Sequence, residues 1–261
     1  AGTSTFSGQA DFGGGAGQVG LADKALFKGR LLGSENVSVT LDGGTLDLGA
    51  ATTISSLSVG AKGVVVATLS KDAAAASGIT VAGNASFADG AKLRLRLTDI
   101  AQAEGTYTVI RAGTLTGAED LESDVALVPF MYDALLAVDQ AAGLVNVDID
   151  RKATDKLGLN RAQSATYDAL YDALAEDEDV AGVFRGITEA QAFRATVAQT
   201  LPDHAGGAFD GFSLGIRTFA RRLANPEGPM KSDRKLRFVV DFAGWDSSKD
   251  EDETAQYDLD G

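Results

Sequence analysis

His204 is the only histidine in the 261-residue chain, the one side chain whose ordinary pKa lies near neutrality. A Ser–His–Asp arrangement needs that imidazole oriented by a carboxylate and set beside a nucleophile. Asp203 precedes it, but a sequence neighbour does not by itself aim a carboxylate at the ring. His204 therefore reads as a loop or helix-end residue. Zinc would find one histidine and no cysteine. Calcium favours clustered carboxylates, and the run DSSKDEDETAQ from Asp246 supplies them. That run lacks the glycine and terminal glutamate spacing of an EF-hand, so it reads as a solvated surface loop. Asp42, Asp47 and Asp72 fall among strand-patterned residues and could serve as an acid/base pair for glycan cleavage. They do not recur at a fixed repeat, and the polar positions around them are mostly Ser and Thr. Gly13-Gly14-Gly15-Ala16-Gly17 has no Lys-Ser/Thr at phosphate-loop spacing and no helix pattern after it, so it reads as a flexible segment. No catalytic, cofactor or metal site is expected.

Composition narrows the classes further. The formal charge of −14 opposes binding to nucleic acid, which needs clustered cations to neutralise phosphates. It also disfavours adsorption on anionic lipid. An apolar fraction of 44% is ordinary for a chain with a buried core. With 31 glycines and 4 prolines, many tight turns in a β-rich region are expected. The absence of cysteine leaves stability to packing and suits a chain that crosses a membrane unfolded. No apolar run reaches the roughly 18 residues of a transmembrane helix. Ala1 is not followed by a signal-peptide pattern, so an exported protein would be represented here by a processed or truncated form.

Any such residues must be positioned by two kinds of element. Residues 1 to about 33 are rich in Gly, Ala and Ser, with Phe6, Phe12 and Phe27 among them; regular structure is only weakly signalled, and an exposed first layer of a repeating fold is expected. From Ser34 the period is two. Val37, Val39 and Leu41, then Leu46 and Leu48, then Ile54, Leu57 and Val59 alternate with polar neighbours. Val64-Val65-Val66 with Leu69, then Ile79 and Val81, Ala85 and Phe87, and Leu93, Leu95 and Leu97 continue the series, with Arg94 and Arg96 facing the other way. Short strands with frequent turns fit a sandwich, a barrel or a solenoid. A loose period of roughly 20 residues favours a right-handed parallel β-helix. Between Val125 and Ile149 a closing hairpin is expected, Tyr132–Val138 against Leu144–Ile149.

The period then becomes 3.6. Tyr167, Leu170, Tyr171 and Leu174 mark one helix face, and Asp177 to Asp179 reads as an acidic break. Thr188 and Gln191 have capping-box spacing ahead of a helix through Phe193, Val197 and Leu201, ended by Pro202. A third helix is expected along Phe212, Ile216, Phe219 and Leu223, with Arg217, Arg221 and Arg222 towards its C-terminus. After the polar linker 226–234, KLRFVVDFAGW alternates as a lipid-facing barrel strand does, with Trp245 at the interface position. Tyr257-Asp258-Leu259-Asp260 would begin a second strand. One strand cannot span a membrane alone, so the barrel is expected downstream of Gly261.

The phrases ISSLSVGAKGVVVATLS and ITVAGNASFADGAKLRLRLTD, the segment Gly105–Gly113, LGLNRAQSATYDAL, LPDHAGGAFDGF and a strand ending in Gly244-Trp245 together resemble the C-terminal part of a type V secretion autotransporter. The resemblance covers most of the chain. It implies β-helix passenger layers with an autochaperone-like closing layer over 1–124, a capping hairpin over 125–156, an α-helical linker over 157–226 and the start of an outer-membrane β-barrel over 227–261. It implies no enzymatic activity, residence at the bacterial cell surface or outer membrane, and dealings with the barrel assembly machinery and periplasmic chaperones. It also implies that the last linker helix runs through the barrel pore, where Arg217, Arg221 and Arg222 would meet an acidic lumen. Self-cleavage by asparagine cyclisation, as in some of these proteins, would fall near Asn160, but the paired-asparagine motif is absent. Two rivals stand beside this reading: a surface adhesin or self-associating structural protein that binds glycans, a host protein or its own copies, and a solenoid carbohydrate-active enzyme.

Overall fold

A computed structural model describes residues 3–200, 216–217, 246–249 and 257–260. The helix through Phe212 and Leu223, the linker 226–234 and the strand Lys235–Trp245 lie outside the described residues, except that Ile216 and Arg217 are helical and exposed.

The protein is mainly β. The chain opens with β1 (Thr5–Asp11), β2 (Gly17–Ala22), β3 (Leu26–Leu32), β4 (Val37–Asp42) and β5 (Thr45–Leu48). It continues through β6 (Thr52–Ile54), β7 (Ser56–Val59), β8 (Val64–Leu69), β9 (Ile79–Phe87), β10 (Lys92–Leu97) and β11 (Gly105–Thr116). Next come β12 (Glu122–Leu127), β13 (Tyr132–Asp139) and β14 (Leu144–Arg151). Helices α1 (Arg161–Ala173), α2 (Glu178–Arg185) and α3 (Ala190–Thr200) follow, then β15 (Asp246–Lys249) and β16 (Tyr257–Asp260).

Two large sheets share the first fourteen strands. One has the order β1-β3-β5-β8-β10-β12; the other runs β13-β14-β11-β9-β7-β4-β2, with β6 beside β9. Every pair in the first sheet is parallel. So are the pairs from β2 to β11 in the second. Apart from β6 and β7, which both join the second sheet, successive strands from β1 to β13 pass back and forth between the sheets.

The register converts sequence alternation into a core. In the first sheet Phe6, Phe27, Leu46, Val65 and Leu93 are consecutive cross-strand partners. In the second, Val19, Val39, Leu57, Ala85 and Leu115 form one such column, and Leu21, Leu41, Val59 and Phe87 another. From Phe27 and Val39 onward these side chains are buried, and Leu41, Leu46 and Leu93 are wholly enclosed. A period of two is sufficient here because inward positions pack only on inward positions.

The Gly-rich start forms strands β1 to β3, the exposed first layer expected there, because parallel pairing asks only for backbone amides and carbonyls, and Phe27 and Leu31 anchor β3 in the core. Two local differences from expectation have physical causes. Strand β12 has no apolar alternation and is held instead by its pairing with β10. Asp177 is not a break: its side chain accepts from the Asp179 and Val180 amides and caps α2, a helix the acidic composition concealed.

The chain divides into two compact units, residues 1–157 with 170–193, and residues 158–169 with 194–261. In the second, Asp246–Lys249 is a strand paired antiparallel with Tyr257–Asp260, so the acidic run begins as a strand rather than wholly as a loop.

Candidate functional site: the hairpin-closed end of the sheets

Strand β11 is where parallel pairing stops in the second sheet. On one side it runs parallel to β9, and on the other antiparallel to β14, with register shifts between Thr108 and Ile110 and between Ala112 and Thr114. An antiparallel neighbour can be supplied by a short hairpin, whereas a further parallel strand would need a crossover. The hairpin β13–β14 supplies it, in full register from Tyr132↔Arg151 to Asp139↔Leu144. Val145, Val147 and Ile149 carry the apolar face over the core end, and all three are buried. On the outer face Thr106 donates to Asp148 at 2.6 Å, and Thr108 to Asn146 at 2.8 Å.

The turn depends on backbone shape. Gly143 has φ +68°, its carbonyl accepts from the Ala112 amide at 2.8 Å, and Asp139 Oδ1 accepts from the Ala142 amide at 2.9 Å.

Tyr132 begins the hairpin and is 2% exposed. Its hydroxyl donates to the Ile100 carbonyl at 2.5 Å and lies 2.9 Å from the Tyr171 hydroxyl. The two rings meet edge-on at 6.4 Å, and the Arg151 guanidinium lies 4.1 Å from the centre of the Tyr171 ring. Nearby, Phe130 packs on Phe193 at 5.5 Å and Phe193 on Phe184 at 6.0 Å. Lys152 Nζ donates to the Phe130 carbonyl at 2.7 Å, sits over the Phe130 ring and approaches Asp133 at 3.6 Å. Hydrogen-bonded aromatics thus tie the hairpin to the loop at Ile100 and to the end of α1. Beside them lie two open grooves, of about 340 Å³ at Val125, Phe130, Leu135 and Lys152, and about 400 Å³ at Lys71, Asp99, Gln102 and Arg185.

Burial raises the Tyr132 phenol far above its ordinary range and pushes Tyr171 up to about 12, the latter partly offset by its hydrogen bond with Tyr132. An unfolded chain releases such protons near pH 10, so at higher pH it binds fewer protons than the folded protein and gains ground. The stabilisation from these phenols is complete below pH 10 and is lost as pH rises towards 12. Tyrosinate absorbance followed beside far-UV circular dichroism should show late phenols ionising only as the β signal collapses. Ionisation of every tyrosine with that signal intact would disprove the enclosed pair.

The outer face of the first sheet carries cross-strand charge pairs. Arg96 grips Asp47 bidentately at 2.9 and 2.8 Å, reaching past β8 from β10 to β5. That hydrogen bonding raises the Arg96 pKa against a desolvation penalty. Arg94 pairs with Asp124 at 2.7 Å and Lys92 with Glu122 at 2.7 Å, joining β10 to β12. Burial pushes the Asp124 carboxyl up, but the bonds from Arg94 and the Ala126 amide, with the Arg94 and Lys92 charges, hold it below the usual range. Sequence alternation marked Arg94 and Arg96 as outward but could not name partners up to 49 residues away.

The structure gives the sequence candidates separate tasks. Asp47 is committed to Arg96; Asp42 ends β4 exposed; Asp72 lies in the turn after β8, accepting from the Ala74 amide at 2.9 Å. Gly13 and Gly14 form the β1–β2 turn, tied by Asp11 Oδ1 to the Gly13 amide and by the Gly14 amide to the Gly33 carbonyl. Asn160 and Gln163 cap α1 reciprocally, each side-chain oxygen accepting from the other's amide at 2.9 and 3.0 Å. His204, Asp203, Arg221 and Arg222 lie outside the described residues. Among the described residues no group of three or more His, Cys, Asp or Glu is arranged to hold a metal, and no helix is long and apolar enough to cross a membrane.

No family model matches the chain, and neither the curated proteins nor the solved structures contain a match.

Proposed function

We propose that the chain is the export-and-anchoring end of an autotransporter: the last layers of a right-handed parallel β-helix, a capping hairpin, an α-helical linker and the start of an outer-membrane barrel. The observation that carries this reading is the turn from parallel to antiparallel pairing at β11. A stack of strands alternating between two sheets ends there on a hairpin with a dedicated aromatic anchorage, and the chain passes directly into helices. The role is non-enzymatic. As the barrel inserts with the help of the assembly machinery, the linker threads the pore and periplasmic chaperones hold the passenger unfolded. The capped end then folds first outside the cell, and burial of each inward column opposes backsliding. The rest of the passenger stands on it as on a stalk.

The test uses the native gene product. Outer-membrane fractions are run on a gel with and without boiling, and the bands are identified by peptide mapping. A heat-modifiable band with peptides from Leu157 onward and past Gly261 is expected; a product confined to the soluble fraction would sink the proposal.

A further inference from the structure

Strand β13 leaves one edge free in the middle of the chain. It closes the second sheet in the order β13-β14-β11, and among the described residues nothing pairs with its other side. Two hydrogen bonds fix which of its backbone groups face out. The Lys152 amide donates to the Met131 carbonyl, and the Ala112 amide to the Gly143 carbonyl. In an antiparallel ladder the bonding direction alternates residue by residue. Asp133, Leu135 and Ala137 therefore bond to β14, while Ala134, Leu136 and Val138 turn their amides and carbonyls away from the sheet.

The apolar cover is incomplete at the same edge. Ala134, Leu136 and Val138 pair with the buried Ile149, Val147 and Val145 but are themselves only half-buried. Leu135, on the opposite face, is 63% exposed. The groove of about 340 Å³ runs beside Asp133–Leu135, walled by Val125, Val128, Phe130 and Tyr132.

Charge decides what can add here. The outer face beside the edge carries Asp133, Asp139, Asp148 and Asp150, with Asp133 directly opposite Asp150. Lys152 and Lys156, the cations lining the groove, are turned to Asp133 at 3.6 and 3.9 Å. Asp139, Asp148 and Asp150 have no ion pair among the described residues. A second copy of a chain of net charge −14 would set carboxylate against carboxylate, which is how natural edges repel their own kind. A basic strand meets the opposite charge. The reach it needs is already used in this protein, where Arg96 crosses β8 to grip Asp47. A cation opposite Leu135 lays its stem over that exposed side chain and reaches Asp148 in the same way.

We propose that the β13 edge is a docking site for an extended segment of a basic partner protein, which adds to the second sheet as a further strand. Its apolar residues face Ala134, Leu136 and Val138 and fill the groove. Its alternate lysines or arginines lie over Leu135 and Ala137 and meet Asp139, Asp148 and Asp150. This inference is independent of the export role, since it needs only the folded hairpin, whatever order the layers fold in.

The test uses the full 261-residue chain and a fluorescein-labelled peptide in which valine alternates with lysine. Anisotropy should show saturable binding that weakens with added salt, and the same peptide with glutamate for lysine should not bind. Hydrogen exchange locates the site. The amides of Ala134, Leu136 and Val138 should exchange fast in the free chain and slow on binding, while those of Asp133, Leu135 and Ala137 are slow throughout. Ala134→Pro and, separately, Val138→Pro each remove an outward amide and leave the β14 ladder intact. Each should weaken binding at least about tenfold, which corresponds to about 1.4 kcal/mol. Circular dichroism controls for folding, and two positions guard against one variant misfolding. Asp150→Asn should reduce the salt dependence and keep the exchange pattern. No binding, equal binding of the glutamate peptide, or binding that leaves the Ala134, Leu136 and Val138 amides fast would each overturn the proposal. Protection of those amides that grows with the concentration of the chain alone would give the edge to a second copy and overturn it too.

Discussion

Tyr132→Ala should bring the capped unit close to unfolding. The side chain is 2% exposed, and truncating a fully buried aromatic costs about 3–5 kcal/mol through lost burial and the cavity left behind. The Ile100 carbonyl also loses its donor, which adds about 1–3 kcal/mol where water cannot replace it. Domains as a class are stable by only about 5–15 kcal/mol. Tyr132→Phe keeps the ring and loses only the hydroxyl, so it should show the smaller, hydrogen-bonding part alone. Urea denaturation of the three chains separates the two contributions.

The kinetics carry the functional content. If the cap folds first, its contacts are present in the transition state, and a loss there slows folding while leaving unfolding nearly unchanged. Leu41→Ala supplies the contrast: it is wholly buried far from the hairpin and should cost about 2–5 kcal/mol, expressed mainly as faster unfolding. Stopped-flow measurements on both variants decide the order. Faster unfolding for Tyr132→Ala and slower folding for Leu41→Ala would remove the autochaperone role.

Much of the strand content was legible because inward and outward positions pack on different partners. The stretch Leu93-Arg94-Leu95-Arg96-Leu97 displays that rule in five residues, and the structure buries its leucines while pairing its arginines outside. The hairpin was legible for the same reason, extending one residue further at Asp139 and two further at Arg151. Strand β12 was not legible, since ESDVAL is mostly exposed and its order comes from the lysine and arginine of a strand 30 residues earlier. The acidic composition at Asp177 suggested a break, although a carboxylate at that point is what the first amides of α2 require. At the cap, Tyr132 and Tyr171 were visible as strand and helix residues. Their meeting was not, because it depends on how the chain between them returns, which no periodicity records.

Gly143 is the second point of high leverage, and the argument there is geometric. At φ +68° an L-residue strains its own backbone by about 1–2 kcal/mol. A Cβ at this position would also stand 2.1 Å from the Ala112 carbonyl oxygen, a backbone atom fixed within the β11 ladder. Relief requires the turn to lift away from β11, which stretches the 2.8 Å bond from the Ala112 amide to the Gly143 carbonyl. Overpacking of that kind adds about 1–3 kcal/mol, so Gly143→Ala should cost about 2–5 kcal/mol in all. Asparagine separates the two causes, since it tolerates the left-handed region but still carries a Cβ. If strain alone mattered, Gly143→Asn would recover most of the stability. The contact predicts that it recovers little, and that amide exchange quickens first along Leu144–Arg151 and at Ala112. Near-wild-type stability for Gly143→Asn would show instead that the turn has room to lift without loosening the cap.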